Sequence, residues 1–180
     1  MENPAPVQEL LHRAESGEAE AQYQLAMRYI MGDGVRKNAK KAVQWFLKAA
    51  EQGDIAAQCN LGYCYGNGRG VPKDETAAAL WYRRAAEQGD AQAQFNLSVC
   101  YLSGTGVVPD EAKAAHWCLT AAEQNHPDAQ YNMAGIYLYG IGVPKDEGQA
   151  VRWYLRAAEQ GHDAAHEALA RLSASATEVL

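Results

Sequence analysis

The sequence lacks the features that mark several large classes of protein. No apolar run approaches the roughly 18 residues that a membrane-spanning helix needs, and the opening MENPAPVQEL has neither the basic start nor the apolar stretch of a secretory signal. Basic residues are outnumbered, since 16 lysines and arginines stand against 22 aspartates and glutamates, for a net charge of -6. The sequence therefore predicts neither membrane insertion nor a nucleic-acid partner.

A repeat of 36 residues is the dominant feature that the sequence does contain. The tryptophans, one set of tyrosines and the tetrapeptide AAEQ all follow this interval four times, at Trp45, Trp81, Trp117 and Trp153 and at Tyr29, Tyr65, Tyr101 and Tyr137. A fixed period of this length predicts a solenoid, in which a unit buries its apolar face only when a neighbour stacks on it. The predicted units span residues 17–52, 53–88, 89–124 and 125–160.

Each unit has the pattern of two helices joined by a turn. In DIAAQCNLGYCY, Leu61 and Tyr65 lie four residues apart on one face of a helix. NGRGVPK then breaks the helix, because glycine and proline do not continue it. Asp74 is the expected N-cap of a second helix, which Gly89 ends. The predicted fold is all-α: a right-handed α-solenoid of stacked helical hairpins with a 36-residue period.

The flanking segments are predicted to cap this array, because a terminal unit has no neighbour to cover its apolar face. Residues 1–16 include APVQELLHRAE, an expected N-terminal capping helix. Residues 161–172 hold HDAAHEALARL, an expected C-terminal capping helix in which Ala165 and Leu169 keep the core positions. Residues 173–180, SASATEVL, are expected to form a flexible tail.

Paired alanines before a glycine, an A-Q-x-x-L helix, a tyrosine and a G-x-G-V turn recur in AAEQGDIAAQCNLGYCYGNGRGV and AAEQGDAQAQFNLSVCYLSGTGV. This pattern closely resembles the Sel-1-like repeat family, a branch of the tetratricopeptide superfamily built from stacked helical hairpins. The resemblance covers residues 17–172. Two departures are local: Asn125 stands where the other units have glycine, and VVPD replaces VPKD in the third unit.

The glycines of GNGRG, residues 66–70, could be mistaken for a phosphate-binding loop. Such a loop usually follows a strand and converges on one helix N-terminus. These glycines lie between two predicted helices and recur in the other units as GDG, GTG and GIG. They are predicted to be turns.

His162 and His166 lie four residues apart and would suit a zinc ion if Asp163 or Glu167 joined them. A structural role is favoured, because His126 shares the column of His162 and His166 replaces a glutamine that the units repeat. No metal and no cofactor is therefore predicted.

The four cysteines have no metal-ligand spacing. Cys59 and Cys118 occupy columns that other units fill with aromatic residues, which predicts core packing. Cys64 and Cys100 occupy equivalent positions of adjacent units, and equivalent helices are too far apart for a disulfide. Free thiols and the absent signal favour a cytoplasmic location, with a periplasmic one open if a signal was removed.

The first helices are predicted to line a concave groove that binds a peptide or a partner helix. The candidate partner-binding residues are Tyr23, Met27, Met31, Asn60, Tyr63, Asn67, Phe95, Asn96, Val99, Tyr131, Asn132 and Tyr139. Aromatic anchors would supply much of the binding energy, and the asparagines could pair with a peptide backbone.

Two of these columns have a structural alternative. Tyr23, Phe95 and Tyr131 could instead pack between helices as core. Asn60, Asn96 and Asn132, which share a column with Gln24, could bond a neighbouring helix or turn, the preferred interpretation, with one or two of the three available to a ligand.

The resemblance implies a non-enzymatic scaffold that binds a protein or peptide partner in bacterial signalling, envelope assembly, effector traffic or immunity. The alternative is a hydrolase of cell-wall or β-lactam substrates, an activity that has been proposed for a few family members. The sequence has no Ser-x-x-Lys motif and almost no unrepeated polar residues that could converge in one pocket. The identity of the partner and the oligomeric state stay open.

Overall fold

The computed structural model of the chain describes residues 7–177. This range holds ten α-helices and no strand, which confirms the predicted all-α fold. The helices are α1 (Val7–Glu15), α2 (Ala19–Met31), α3 (Ala39–Glu51), α4 (Ile55–Asn67), α5 (Glu75–Glu87), α6 (Ala91–Ser103), α7 (Glu111–Glu123), α8 (Pro127–Tyr139), α9 (Glu147–Glu159) and α10 (Asp163–Thr177).

The helices pair as hairpins, each repeat supplying a first helix (α2, α4, α6 or α8) and a second helix (α3, α5, α7 or α9). The chain divides into two compact units, Met1–Ala93 and Gln94–Leu180. In the first unit each helix from α1 to α5 packs on the next, and in the second unit α7 to α10 do the same. Consecutive packing of this kind makes each unit a segment of a helical solenoid.

Local chemistry begins and ends these helices where the sequence predicts. The Asp74 side chain accepts a hydrogen bond from the backbone N–H of Ala77 at 2.9 Å, so it is the N-cap of α5. Gly89 follows this helix with φ +96°, and Asn125 takes the equivalent place with φ +63°. Asn125 is the one non-glycine residue in the described range with a positive φ. The joint that departs from the repeat pattern therefore keeps its geometry.

The glycine cluster of the second repeat is a turn between α4 and α5. Gly68 ends α4 in the left-handed conformation, with φ +66°. Gly70, with φ +81°, lies so close to α3 that an added Cβ would stand 2.4 Å from the carbonyl oxygen of Ala39. Only glycine fits there, because both the dihedral angle and the space exclude a side chain.

Alanines and a few large side chains form the core of each unit. In the first unit Phe46, Leu61 and Trp81 share one cluster with buried alanines of α2, α3 and α4. Because Phe46 belongs to the first repeat and Trp81 to the second, this cluster fills the joint between two hairpins. A corresponding cluster in the second unit contains Met133 and Trp153.

The helices at both ends of the described range pack on their neighbours. In α1, Leu10 and Ala14 are buried against Ala21 and Leu25 of α2. In α10, Ala165 is fully buried and Leu169 packs on the core of the second unit. Residues 1–6 of the predicted capping segment lie outside the described residues.

The predicted end of the last helix at residue 172 differs from the structure, in which α10 continues to Thr177. Ser173 and Ala174 carry the helix on because neither stops it, and alanine has the highest helix propensity. The hydroxyl of Ser173 donates a hydrogen bond to the carbonyl oxygen of Ala170 at 2.8 Å. The flexible tail predicted for residues 173–180 is therefore helical as far as Thr177, and residues 178–180 lie outside the described range.

Candidate functional site

The structure places all twelve sequence-predicted partner-binding residues on first helices. Three of them lie on each: Tyr23, Met27 and Met31 on α2; Asn60, Tyr63 and Asn67 on α4; Phe95, Asn96 and Val99 on α6; and Tyr131, Asn132 and Tyr139 on α8.

Large apolar side chains are exposed on all four of these helices. Met31 is 67% exposed and Tyr63 48% in the first unit; Val99 is 39% exposed and Tyr139 74% in the second. Met27 is half-buried, whereas Asn67 and Ser103 are exposed. We name these residues the first-helix face, with the members Met27, Met31, Tyr63 and Asn67 in the first unit and Val99, Ser103 and Tyr139 in the second.

The column that contains Tyr23, Phe95 and Tyr131 packs between helices. The ring of Phe95 stacks on His126 at 4.9 Å between centroids, and that of Tyr131 stacks on His162 at 4.6 Å. Tyr23 lies 5.9 Å from the Phe46 ring, and burial raises the pKa of its hydroxyl. All three rings are half-buried, which supports the structural interpretation of this column.

The asparagine side chains bond to the protein itself where their contacts are defined. Asn60 Nδ2 donates to the carbonyl oxygen of Ala56 at 2.9 Å, and Asn67 Nδ2 donates to that of Tyr63 at 2.9 Å. Asn132 is half-buried on α8. Bonds within the helix favour the structural role, and ligand binding by this column stays a prediction.

Sequence reasoning missed the role of the repeated glutamines. Gln58 is buried, donates through Nε2 to the Ala50 carbonyl oxygen at 3.1 Å, and accepts from Gln88 Nε2 at 2.7 Å. Its first bond satisfies a carbonyl near the end of α3, and its second reaches the end of α5. Equivalent bonds join Gln22 to Ala14 and Gln52, and Gln130 to Ala122 and Gln160. The signal in the sequence was the fixed distance of 30 residues between the A-Q-x-x-L and AAEQ glutamines.

The histidines proposed for a zinc site have separate surroundings. His162 Nε2 lies 3.3 Å from Asp128 Oδ1, while its Nδ1 is buried without a partner. His166 is exposed on α10, and Glu167 pairs with Arg171 at 3.0 Å. Among the described residues, no group of three His, Cys, Asp or Glu side chains could hold a metal ion.

The four cysteines are free thiols. Cys118 is fully buried and its Sγ donates to the Ala129 carbonyl oxygen at 3.3 Å. Burial raises the pKa of Cys59 and of Cys118 to about 12. Both thiols therefore stay protonated at neutral pH. Cys118 holds the core position predicted for it, whereas Cys59 is half-buried.

No helix in the described part of the chain has both the length and the apolar character that a membrane crossing requires.

The sequence matches the family model of the Sel1 repeat four times, at residues 19–54, 55–90, 91–126 and 127–162. These bounds lie two residues beyond the predicted units and cover most of the chain. No curated protein matches the sequence.

Solved structures resemble the chain closely. The protective antigen c5321 of uropathogenic Escherichia coli, which displays an SLR fold, is 45% identical, with a TM-score of 0.83 over 86% of this chain and 33% of its own. A Sel1 repeat protein from Oxalobacter formigenes is 38% identical, with a TM-score of 0.82 over 90% of this chain and 64% of its own. Cysteine rich protein B of Helicobacter pylori is 26% identical, with a TM-score of 0.55 over 68% of this chain and 88% of its own. The chain thus spans a third of the first relative and under two thirds of the second.

Proposed function

Because the chain belongs to the Sel1 repeat family, whose members are generally protein-interaction scaffolds, we propose that it binds a protein or peptide partner through the first-helix face. The hydrolase alternative has no observation in its favour among the described residues.

The exposure of large apolar side chains at repeated positions carries this proposal. Single exposed apolar residues are common on protein surfaces. Here they recur, because Met31, Tyr63 and Tyr139 all lie on first helices, and Met31 and Tyr139 occupy the same position of the repeat. Tyrosine and methionine suit a binding surface because tyrosine offers a large rigid contact area and methionine adapts to a partner's shape. Buried on binding, such residues become the main contributors to affinity.

The varied chemistry of this face gives it a basis for selecting one partner. Position 63 holds tyrosine where the next repeat has Val99 and the last has Gly135, and Asn67 corresponds to Ser103 and Tyr139. These positions vary while they are exposed, whereas the buried alanines of the second helices keep their size from repeat to repeat. Within each unit, these exposed positions therefore present a specific pattern of bulky and open sites to a partner.

A pair of matched variants tests the proposal. Met31→Ala combined with Tyr63→Ala removes apolar contact from the first-helix face, and Leu80→Ala removes it from α5, where Leu80 is 47% exposed. Partners would be isolated from the native host with the wild-type chain and identified by mass spectrometry. Binding of the purified partner would then be measured by calorimetry.

We expect the double variant to lose about 1 to 3 kcal/mol of binding free energy. Its melting temperature should stay near that of the wild type, and Leu80→Ala should bind as the wild type does. Loss of binding in Leu80→Ala with full binding in the double variant would move the partner to the second helices and contradict the proposal.

A further inference from the structure

A cluster of positive charge lies on the first repeat of this acidic chain. Its members occupy the turn after α2 and the exposed side of α3, and we name them the basic patch: Arg36, Lys37, Lys40, Lys41 and Lys48. No aspartate or glutamate occurs between residues 34 and 50. All five side chains belong to exposed residues, and within the described range none is part of an ion pair.

Comparison with the other repeats shows why these cations lack carboxylate partners. Lys73, the counterpart of Lys37 in the second repeat, pairs with Glu75 at 2.6 Å. The first repeat has Ala39 at the position of that glutamate. The same ion pair recurs in the fourth repeat as Lys145 and Glu147, at 2.8 Å.

A second substitution removes another carboxylate. Lys113, the counterpart of Lys41 in the third repeat, pairs with the N-cap residue Asp110 at 2.8 Å. The first repeat has Asn38 there, which still caps α3 by accepting from the backbone N–H of Lys41 at 3.0 Å. Asparagine thus keeps the structural function of the aspartate and loses its charge.

Apolar surface adjoins the patch. An open depression of about 650 Å³ lies among α1, α2 and α3, with Leu11, Tyr29 and Trp45 in its lining. Lys48 Nζ stands 4.2 Å from the centre of the Trp45 ring, and Lys41 Nζ 5.4 Å from that of Tyr29. Glu15 also lines the depression and is its acidic member. The site therefore has an aromatic wall with ammonium groups at its rim.

A second depression continues the site towards the turn. It measures about 490 Å³ and shares Tyr29 and Lys41 with the first. Arg36 and Lys37 line its other side. Its lining combines the cations Arg36, Lys37 and Lys41 with Tyr29 and Val35, so it can hold a carboxylate beside the larger apolar depression.

We propose that this surface binds an acidic peptide segment of a partner protein, with an apolar anchor residue in the larger depression and carboxylates on the basic patch. Unpaired cations attract an acidic ligand without first breaking an ion pair, and the apolar depression supplies contact area that charge alone does not. A nucleic acid would need a basic surface that extends over more of the molecule. The basic patch does not continue onto the next hairpin in this way, because Lys73 there is paired with Glu75. This surface lies on α3 and its turn, so the inference goes beyond the first-helix face.

The test uses variants that copy one repeat onto another in the full-length chain. Asn38→Asp with Ala39→Glu gives the first repeat the carboxylates of the others, which already fold with those residues. Asp74→Asn with Glu75→Ala is the matched control in the second repeat. The probe is the fluorescein-labelled peptide DEDLFEDE, and its binding is followed by fluorescence anisotropy at about 50 mM NaCl. Thermal melting confirms that each variant is folded.

The wild type and the control should bind the peptide alike, and the first-repeat variant about tenfold more weakly or worse. The peptide DEDSSEDE, without the apolar pair, should also bind more weakly. The variant Tyr63→Ala should bind DEDLFEDE normally, which separates this site from the first-helix face.

Three outcomes would overturn the proposal. Equal binding by the wild type and the first-repeat variant would show that the patch is not the site. Tighter binding of an oligothymidine of the same length would assign the patch to nucleic acid. Self-association in sedimentation velocity that the first-repeat variant abolishes would assign it to a second copy of the chain.

Discussion

Gly62 leaves the space that the ring of Tyr82 occupies. A Cβ at this position would stand 2.5 Å from two ring carbons, and Tyr82 is itself buried. Gly62→Ala should therefore lower the free energy of unfolding by about 1 to 3 kcal/mol, because the ring must move in a packed core. Urea denaturation would measure the change.

Gly66, on the same helix, is the matched control. An added Cβ there would meet the Cβ of Ala78 at 3.6 Å, an ordinary contact. Gly66→Ala should raise stability by up to about 1 kcal/mol, since alanine favours the helix. Similar effects of Gly62→Ala and Gly66→Ala would mean that the Tyr82 ring moves aside without cost.

The half-buried thiol of Cys59 and the fully buried thiol of Cys118 make stability depend on pH at alkaline values. Burial raises the pKa of Cys59 and Cys118 to about 12, against about 8.5 in an unfolded chain. The folded state therefore favours the protonated thiol. The stability that this preference contributes is complete below about pH 8.5 and is lost as the pH rises towards 12.

Replacing Cys118 by alanine should reduce this loss. Between about pH 8 and pH 10.5, we expect the wild type to lose about 1 to 2 kcal/mol more than Cys118→Ala does. Urea denaturation measures the free energy of unfolding of both proteins at each pH. The difference between them separates the contribution of the Cys118 thiol from those of the tyrosines and lysines that also titrate. Parallel pH profiles would show that the thiol ionises in the folded protein as readily as in the unfolded one.

At the scale of the helix, α10 covers the apolar face of α9. Ala165, Leu169 and Leu172 pack on the core cluster that also contains Trp153. A chain that stops at residue 162 should melt at a lower temperature, and hydrogen exchange should locate the loss in α8 and α9. A chain that stops at residue 172 keeps these contacts and is the control. Equal melting of the two truncated chains would contradict the role of α10 in covering the core.

At the scale of the whole molecule, the two proposed surfaces should respond differently to salt. The first-helix face has uncharged members, such as Met27, Tyr63 and Tyr139, whereas the basic patch has five cations. Raising NaCl from about 0.05 to about 0.5 M should slow partner association at the first-helix face more than it speeds dissociation. Peptide binding at the basic patch should weaken markedly. Surface plasmon resonance separates the two rates, and a strongly salt-dependent dissociation from the first-helix face would contradict its apolar character.

The fold was predictable because its signals are local and repeat four times. Tryptophans, turn glycines and N-caps such as Asp74 each report on a few neighbouring residues, so one 36-residue interval was enough to place the hairpins. The extension of α10 was not predictable in the same way, because no glycine or proline stands between Leu172 and Thr177 to mark an end.

The helices that hold the candidate residues were predictable from the sequence, and the binding role of these residues stays a prediction. All twelve residues lie on first helices, but the stacking of Phe95 on His126 depends on how consecutive hairpins meet, which a helical period does not encode. The net charge of -6 averages over the chain and therefore does not predict the basic patch. The ion pair of Lys73 with Glu75 in the second repeat shows which carboxylate the first repeat lacks.

The glutamine bonds have a consequence for how a gene of this kind can change length. Gln58 takes one partner eight residues before it and the other 30 residues after it, and Gln22 and Gln130 use the same two offsets. Duplicating any 36-residue stretch within residues 19–162 in frame would therefore supply every copied glutamine with both partners, wherever the crossover fell. An insertion of another length within one of the helices would rotate a buried amide away from its acceptor or its donor. Natural variants of this chain should accordingly differ in length by multiples of 36 residues. Sequencing the gene in related strains would test this expectation.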